Sequence, residues 1–432
     1  MQLNKRNIFD PIIGFQLFSI IRYSLLLLTA IFLAHSNLSL NQIGMYETML
    51  LFSGMFSFFY VGALTTKLLS SKPDEKEKNY KLVLIALLLT SLSIAVILLI
   101  LKDSVANVFN VSNTTHIKFF ACYLIFNTPG FLLEYFFLLE KRIKALIIYA
   151  ITYGTIYFFV VAYSSFNNFG IETILTGLIL LAVLRFITLI ILVFSKNTET
   201  ISWADLTQFC SSSFPLLLSL LLSGSADYID SFLAVNYFGQ EQLAIFKYGA
   251  KELPLSLLMA NALSNAMIPV LSGQNDFARS ILELKKRTTH LIRIVFPVSI
   301  ILMLTAQWIY PLVFSSKFKD SAIIFCIYLL LVCSRVMFPQ TLLLAKGHFK
   351  KIAIASSIEL VINIFASILL MRYYGIIGIA MATVIAFMCD KLILFYFVKS
   401  TLAIRPSNII PFKEYLIFTF LLFASCYFVI LY

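Results

Sequence analysis

Five basic side chains lie inside long apolar segments of the chain, namely Arg22, Arg185, Lys247, Lys251 and Arg335. A charge near the centre of a bilayer costs roughly 2.5–3.5 kcal/mol on insertion scales, so it persists where it faces protein or water. Guanidinium groups bind phosphate oxygens through a planar fork, and lysines add mobile point charges. These residues therefore indicate a water-filled, cationic cavity for an anionic substrate. The alternative is that each cation pairs with an acid and holds two helices together.

The depth of these cations favours the cavity. Arg22 is about 12 residues into the first segment, or ~18 Å deep at 1.5 Å per residue, which is too deep to reach the membrane surface easily. Lys247 and Lys251 are four residues apart, and this spacing predicts that they share one helical face. Arg185 and Arg335 are also deep in their segments, and the topology derived below puts them nearer to the cytoplasm.

Two acids, Asp227 and Glu47, are candidate sites for a coupling ion such as H⁺ or Na⁺, because acids within membrane segments often mark ion paths. For Glu134, Glu252 and Asp390 we expect the pairing alternative, in which the acid joins a cation on a neighbouring helix.

The apolar segments that position these residues fill almost the whole chain. Each span of a bilayer needs about 20 apolar residues. By this criterion we predict thirteen spans, at residues 10–34, 41–66, 82–101, 117–139, 145–164, 172–194, 209–236, 241–272, 290–314, 320–345, 352–371, 376–398 and 412–432. The sequence therefore predicts an all-α membrane protein that crosses the bilayer many times.

Basic residues in the connecting loops predict the orientation. Most lysines and arginines lie at the N-terminus and in the loops after even-numbered spans, and few lie in the other loops. Because cytoplasmic loops carry the excess of positive charge, we predict a cytoplasmic N-terminus. The net charge of +12 is explained by these loops and by contact with anionic membrane lipids, so we expect no nucleic-acid partner.

Several classes of function lack their motifs. The sequence has no Cys-x-x-Cys pair, no His-Glu-x-x-His spacing and no Gly-rich phosphate loop, so we expect no metal, no cofactor and no catalytic residue. No loop is long enough to bury a core of its own, which excludes a soluble motor or catalytic domain in this chain. The prediction is a protein that is not an enzyme.

The sequence also contains two similar halves. In the first half, Pro129 precedes a basic group, and Arg185 lies 15 residues after Gly170. In the second half, Pro339 precedes a basic group, and Asp390 lies 15 residues after Gly375. We predict a six-helix lobe at 1–200, a second at 201–400 and one extra helix at 401–432. Six spans per lobe make the repeat parallel, with the substrate path around a central cavity between the lobes.

Residues 223–234 (SGSADYIDSFLA) and 237–248 (YFGQEQLAIFKY) carry a resemblance to a known family. This segment resembles the start of the second lobe in bacterial polysaccharide exporters of the multidrug/oligosaccharidyl-lipid/polysaccharide superfamily. Residues 14–22, 43–46 and 375–380 are similar as well, and the likeness covers essentially the whole chain. Lys247 departs from the pattern, because small or polar residues are common there, and the single helix after span twelve is a second departure.

The resemblance implies a two-lobed flippase of the O-antigen or capsule repeat-unit group. Its implied substrate is a polyprenyl-diphosphate-linked oligosaccharide, moved across the inner membrane by alternating access. The implied partners are a polysaccharide polymerase and chain-length machinery, as for lipopolysaccharide or exopolysaccharide. A multidrug antiporter of the same superfamily is the first alternative, although organic cations would favour an acidic cavity. A membrane-embedded polymerase or ligase is the second, although it would need a larger outward loop. A lipid II flippase is a closer variant, although this chain has one predicted helix too few for it.

Overall fold

The computed structural model describes residues 11–69, 76–167, 169–195, 201–251, 255–273 and 277–431. Within these ranges every regular element is helical and there is no strand. The prediction of an all-α, multi-span membrane protein is confirmed. The chain forms two compact units. The N-terminal unit holds residues up to Gly224 together with Val235–Ala244, and the C-terminal unit holds Ser225–Ala234 and Ile245–Tyr432.

The described part of the N-terminal unit contains helices α1 to α10. They are α1 (Pro11–His35), α2 (Leu40–Met55), α3 (Phe58–Leu69), α4 (Lys76–Ile100), α5 (Lys102–Val108), α6 (Thr115–Gly130), α7 (Leu132–Leu139), α8 (Ile143–Phe166), α9 (Gly170–Phe194) and α10 (Trp203–Gly224). Helices α1 and α8 pack together, as do α6 and α9, and α3 and α10. Buried side chains of α3, α4, α7, α9 and α10 form one apolar cluster of this unit, with Tyr80 against Phe136 at 5.0 Å between ring centroids.

Helix α11 (Ala226–Gly249) contributes residues to both units. The other helices of the C-terminal unit are α12 (Leu255–Ser272), α13 (Phe277–Phe314), α14 (Ser321–Leu329), α15 (Val332–Arg335), α16 (Pro339–Ala345), α17 (Phe349–Tyr374), α18 (Ile376–Leu402) and α19 (Phe412–Leu431). Helices α17 and α18 form a tight antiparallel pair, and α19 packs on α13.

The number of spans differs from the prediction. Among the described residues, nine helices are long and apolar enough to cross a membrane, and two bent pairs bring the total to as many as 11. These pairs are α2 with α3, bent by 48°, and the stretch Ser321–Arg335 with α16, bent by 46°. The count of thirteen is not confirmed, but the chain is a multi-pass membrane protein.

Two of the predicted spans are divided differently in the structure. Predicted span 209–236 covers most of α10 and the first half of α11, which turns at Gly239 with φ 81° and ψ −176°. Glycine occupies this position because other residues are strained at positive φ. Predicted span 241–272 is interrupted, since α11 ends at Gly249 and α12 begins at Leu255. The predicted lobe boundaries at residues 200 and 400 stay predictions.

Corresponding turns support the internal repeat. In the N-terminal unit, α7 is followed by Lys141 at φ 55°, then α8, then Gly170 at φ 78° and α9. In the C-terminal unit, α16 is followed by Gly347 at φ 74°, then α17, then Gly375 at φ 59° and α18. The same order of helices and left-handed residues therefore occurs once in each unit.

Candidate functional site

The clearest polar cluster of the N-terminal unit joins two of the predicted cations to one acid. The carboxylate of Glu134 accepts hydrogen bonds from Arg22 Nη1, at 3.0 Å to each oxygen, and from Arg185 Nη2, at 2.9 Å to Oε1. The three residues come from α7, α1 and α9. Helix packing thus brings together side chains that are far apart in the sequence.

Local backbone features let Arg185 approach α7. Helix α6 ends with Pro129 and Gly130, and the chain continues through Phe131, which has helical dihedral angles, into α7. A Cβ atom on Gly130 would lie only 2.9 Å from Cδ of Arg185 and 3.0 Å from its Nε. Glycine is needed at position 130 because a larger residue would displace the buried guanidinium from Glu134.

Aromatic rings surround the guanidinium groups. The ring of Phe131 lies 5.7 Å from Cζ of Arg22 and 4.8 Å from Cζ of Arg185. Arg185 also lies 5.2 Å from the Tyr153 ring and 5.8 Å from the Tyr149 ring. A cation within about 6 Å of a ring centroid is attracted by the ring face, more strongly where water is excluded. These rings stabilise the two cations in an apolar region.

The cluster carries an unbalanced positive charge. One carboxylate faces two guanidinium groups, and the side chains of Glu134 and Arg185 are only 7% and 3% exposed. The side chain of Arg22 is 46% exposed. Arg185 and Glu134 therefore form a buried support, and Arg22 presents positive charge at the surface of the unit. Such a surface suits an anion.

The remaining predicted cations belong to the C-terminal unit. Lys251 lies just beyond the end of α11 rather than on its helical face, and its Nζ is 3.7 Å from the centroid of the Tyr248 ring. Arg335 donates from Nη1 to Oγ of Ser256 at 3.3 Å, which joins α15 to α12. Lys247 is half-buried near the end of α11. The predicted shared helical face of Lys247 and Lys251 is therefore wrong, because the helix ends between them.

A match to a known family decides which kind of protein this is. Residues 38–323 match the model of a family described as polysaccharide biosynthesis protein, which is more than half of the chain. The chain belongs to this polysaccharide biosynthesis family. No protein of the curated set matches the sequence.

Solved structures agree on the fold. A structure of the lipid II flippase MurJ in an inward closed conformation has a TM-score of 0.73 at 19% identity, covering 96% of this chain and 92% of that one. An inward-facing multidrug resistance MATE family transporter has a TM-score of 0.64 at 13% identity, covering 91% and 98%. A Pyrococcus furiosus transporter, reported to have a binding pocket of reverse polarity, has a TM-score of 0.54 at 14% identity, covering 93% and 99%. This member of the polysaccharide biosynthesis family therefore has the fold of the multidrug/oligosaccharidyl-lipid/polysaccharide superfamily.

The structure also locates the predicted acids. Glu47 is buried in α2, whereas the side chain of Asp227 is outside the part of the chain that the structure describes. Glu252 is outside it as well. Glu134 pairs with cations of two other helices, as we expected. The expectation for Asp390 is wrong, because its cationic partner at 3.0 Å is the adjacent Lys391 of the same helix α18, so this pair joins no two helices.

Asp230 is a further buried acid, which was not among the candidate site residues predicted from the sequence. Asp230 in α11 is buried, and Oγ1 of Thr383 in α18 donates to its Oδ2 at 2.5 Å. Its position one turn after Asp227 was visible in the sequence, but the hydroxyl partner is more than a hundred residues away. Within the described residues, no group of three or more His, Cys, Asp or Glu side chains could hold a metal ion.

Proposed function

We propose that this protein is a flippase that moves a polyprenyl-diphosphate-linked oligosaccharide across the bacterial inner membrane. The observation that carries the proposal is the excess positive charge of the cluster of Arg22, Glu134 and Arg185 among apolar helices. A half-exposed guanidinium at this depth is too costly to face lipid. It is explained if the exposed side of Arg22 faces water and an anionic headgroup.

The chemistry of a diphosphate fits Arg22. A guanidinium binds phosphate oxygens in bidentate fashion, and a charge-assisted hydrogen bond is roughly twice as strong as a neutral one. Arg185 does not need to touch the substrate, because it neutralises Glu134 from the buried side. With Glu134 neutralised by Arg185, the positive charge of Arg22 can bind the anionic substrate.

The C-terminal unit supplies further candidates for the same headgroup. Lys247, Lys251 and Arg335 would bind the diphosphate at one stage of the alternating-access cycle, with Lys251 held against the Tyr248 ring. The lipid tail would remain in the bilayer. Transport requires no covalent chemistry, and therefore no catalytic residue.

The driving force is either an ion gradient or consumption of the product by a polymerase and its chain-length machinery. For an H⁺ or Na⁺ gradient, Glu47 and Asp227 remain candidate coupling residues. Asp230 joins them, because a carboxylate buried among membrane helices often marks an ion path.

A multidrug antiporter of the same superfamily is the main alternative. Organic cations require exposed acids, yet Glu134 is nearly buried between two arginines. The geometry of this cluster therefore favours an anionic substrate over a cationic one.

The test is the translocation of a fluorescent polyprenyl-diphosphate oligosaccharide in proteoliposomes. We expect transport by the wild type and a decrease of about tenfold or more for Arg22→Gln, because a hydrogen bond to a charged group contributes about 1.5–3 kcal/mol. Arg372→Gln is the matched control, since it removes an exposed arginine at the end of α17. Export of a cationic dye without transport of the lipid would support the antiporter instead.

A further inference from the structure

A separate cavity lies between α12 and α13 in the C-terminal unit. Its volume is about 660 Å³, within the range of about 300–1,000 Å³ that is usual for small-molecule sites. Its lining includes none of the residues proposed above to bind the transported substrate. The cavity is therefore distinct from the proposed substrate site.

One wall of the cavity is a charged stripe on α13. Glu283, Lys286, Arg287 and His290 line it, at positions that recur every three or four residues and so share a helical face. Arg287 donates to Glu283 at 2.6 and 3.0 Å. Within the described part of the chain, no acid pairs with Lys286. The charged side chains of the stripe, Glu283, Lys286 and Arg287, have a net charge of +1.

The remaining lining of the cavity is apolar. Met259 and Leu263 of α12 are four residues apart and face it together, and Leu291 of α13 completes this wall. The occupant therefore needs an anionic part for the stripe and an apolar part for this wall. A free phosphate ion would use the stripe alone.

The position of the cavity along α13 indicates where the occupant comes from. Helix α13 has 38 residues, or ~57 Å, which exceeds the roughly 30 Å hydrocarbon core of a bilayer. Residues 294–314 contain no charged side chain, whereas residues 277–293 contain five lysines or arginines. The lining residues 283–291 lie where the charged half meets the apolar half, which is the depth of lipid headgroups.

We propose that this cavity binds the phosphate headgroup of an anionic phospholipid, with an acyl chain against Met259, Leu263 and Leu291. Lys286 and Arg287 bind the phosphate oxygens. Basic pockets between membrane helices are known to select such headgroups. The lipid would fix α12 against α13 and so would stabilise this hairpin of the transporter.

Native mass spectrometry of the full-length protein tests the proposal. Protein stripped of lipid in detergent is titrated with cardiolipin, and separately with phosphatidylcholine. We expect saturable binding of cardiolipin, weaker by about tenfold for Lys286→Gln, which corresponds to about 1.4 kcal/mol. Arg279→Gln is the matched control, since it removes an exposed charge of α13 that does not line the cavity.

Two further arms identify the source of the phosphate. Leu263→Trp places a larger side chain in the cavity without changing any charge, and it should weaken cardiolipin binding as well. This variant tests the proposal even if Lys286→Gln does not fold. Inorganic phosphate at millimolar concentration should not displace the lipid. Equal loss in Lys286→Gln and Arg279→Gln, equal binding of phosphatidylcholine, or displacement by phosphate would overturn the proposal. None of these readouts depends on transport.

Discussion

Arg185 donates to Glu134 at 2.9 Å, and both side chains are almost completely buried among membrane-spanning helices. Buried ion pairs contribute little net stability compared with a well-packed apolar pair, but removal of one partner leaves the other charge uncompensated. Loss of either partner should therefore lower the stability of the N-terminal unit. Arg22 also binds the carboxylate of Glu134, but its side chain remains half exposed.

Glu134→Gln should destabilise the protein by about 3–5 kcal/mol, because Arg185 would keep its charge in an apolar region without a counter-ion. The measurement is the free energy of unfolding from denaturant titration in detergent micelles. Glu172→Gln is the control, since the side chain of this acid in the first turn of α9 is 63% exposed. The double variant Glu134→Leu with Arg185→Met should recover most of the loss. A Glu134→Gln protein as stable as the wild type would contradict this account.

Gly44→Ala should also destabilise the N-terminal unit, for a steric reason. A Cβ atom on Gly44 of α2 would overlap the backbone carbonyl of Gln240, which cannot rotate away as a side chain can. Overpacking of this kind typically costs about 1–3 kcal/mol. Gly273→Ala is the control, because its nearest neighbour would be 3.6 Å away. Similar unfolding curves for the two variants would show that α2 can move away from Gln240 without cost.

Asp230→Asn should remove the dependence of transport on an ion gradient, if Asp230 is a coupling residue. Asparagine keeps the size of the side chain and can still accept from Thr383, but it cannot carry the negative charge that attracts H⁺ or Na⁺. The measurement is lipid translocation in proteoliposomes with and without an imposed gradient. Thr383→Val is the companion variant, which removes the hydroxyl but keeps the charge, and should weaken coupling less. Transport by Asp230→Asn that still responds to the gradient assigns coupling to another acid, such as Glu47.

Apolar run length was enough to predict most of the long helices, and loop charges and glycines marked many of their ends. The turn at Gly239 falls in the predicted loop 237–240, because positive φ favours glycine. The bend between α2 and α3 was missed, although Ser53 and Gly54 lie directly before it and a Gly/Ser pair is a recognised cause of helix kinks. The end of α11 at Gly249 was also missed, and this error placed Lys247 and Lys251 on one face.

The residues of the candidate site could be predicted from the sequence, but the ion pairs between them could not. Arg22, Arg185 and Glu134 are each conspicuous as charges in apolar segments. Which acid meets which cation depends on how α1, α7 and α9 pack, and no local pattern encodes this. Thr383 gives the same lesson, because a hydroxyl in an apolar helix is common and becomes informative only next to Asp230.

Lys141 and Gly347 occupy corresponding turns of the two repeats, at φ 55° and 74°. If the correspondence holds, a residue with a Cβ atom is strained at both positions. A left-handed conformation costs a residue with a Cβ roughly 1–2 kcal/mol. Lys141→Gly should therefore be more stable than Lys141→Ala by about 1 kcal/mol, and this comparison cancels the loss of the lysine charge. Gly347→Ala should lose a similar amount through strain alone, because no atom would be closer than 4.0 Å to the new Cβ. Denaturant titration of the three variants measures these differences. If the glycine and alanine variants at position 141 unfold alike, the turn relaxes out of the left-handed region, and the correspondence between the two units fails there.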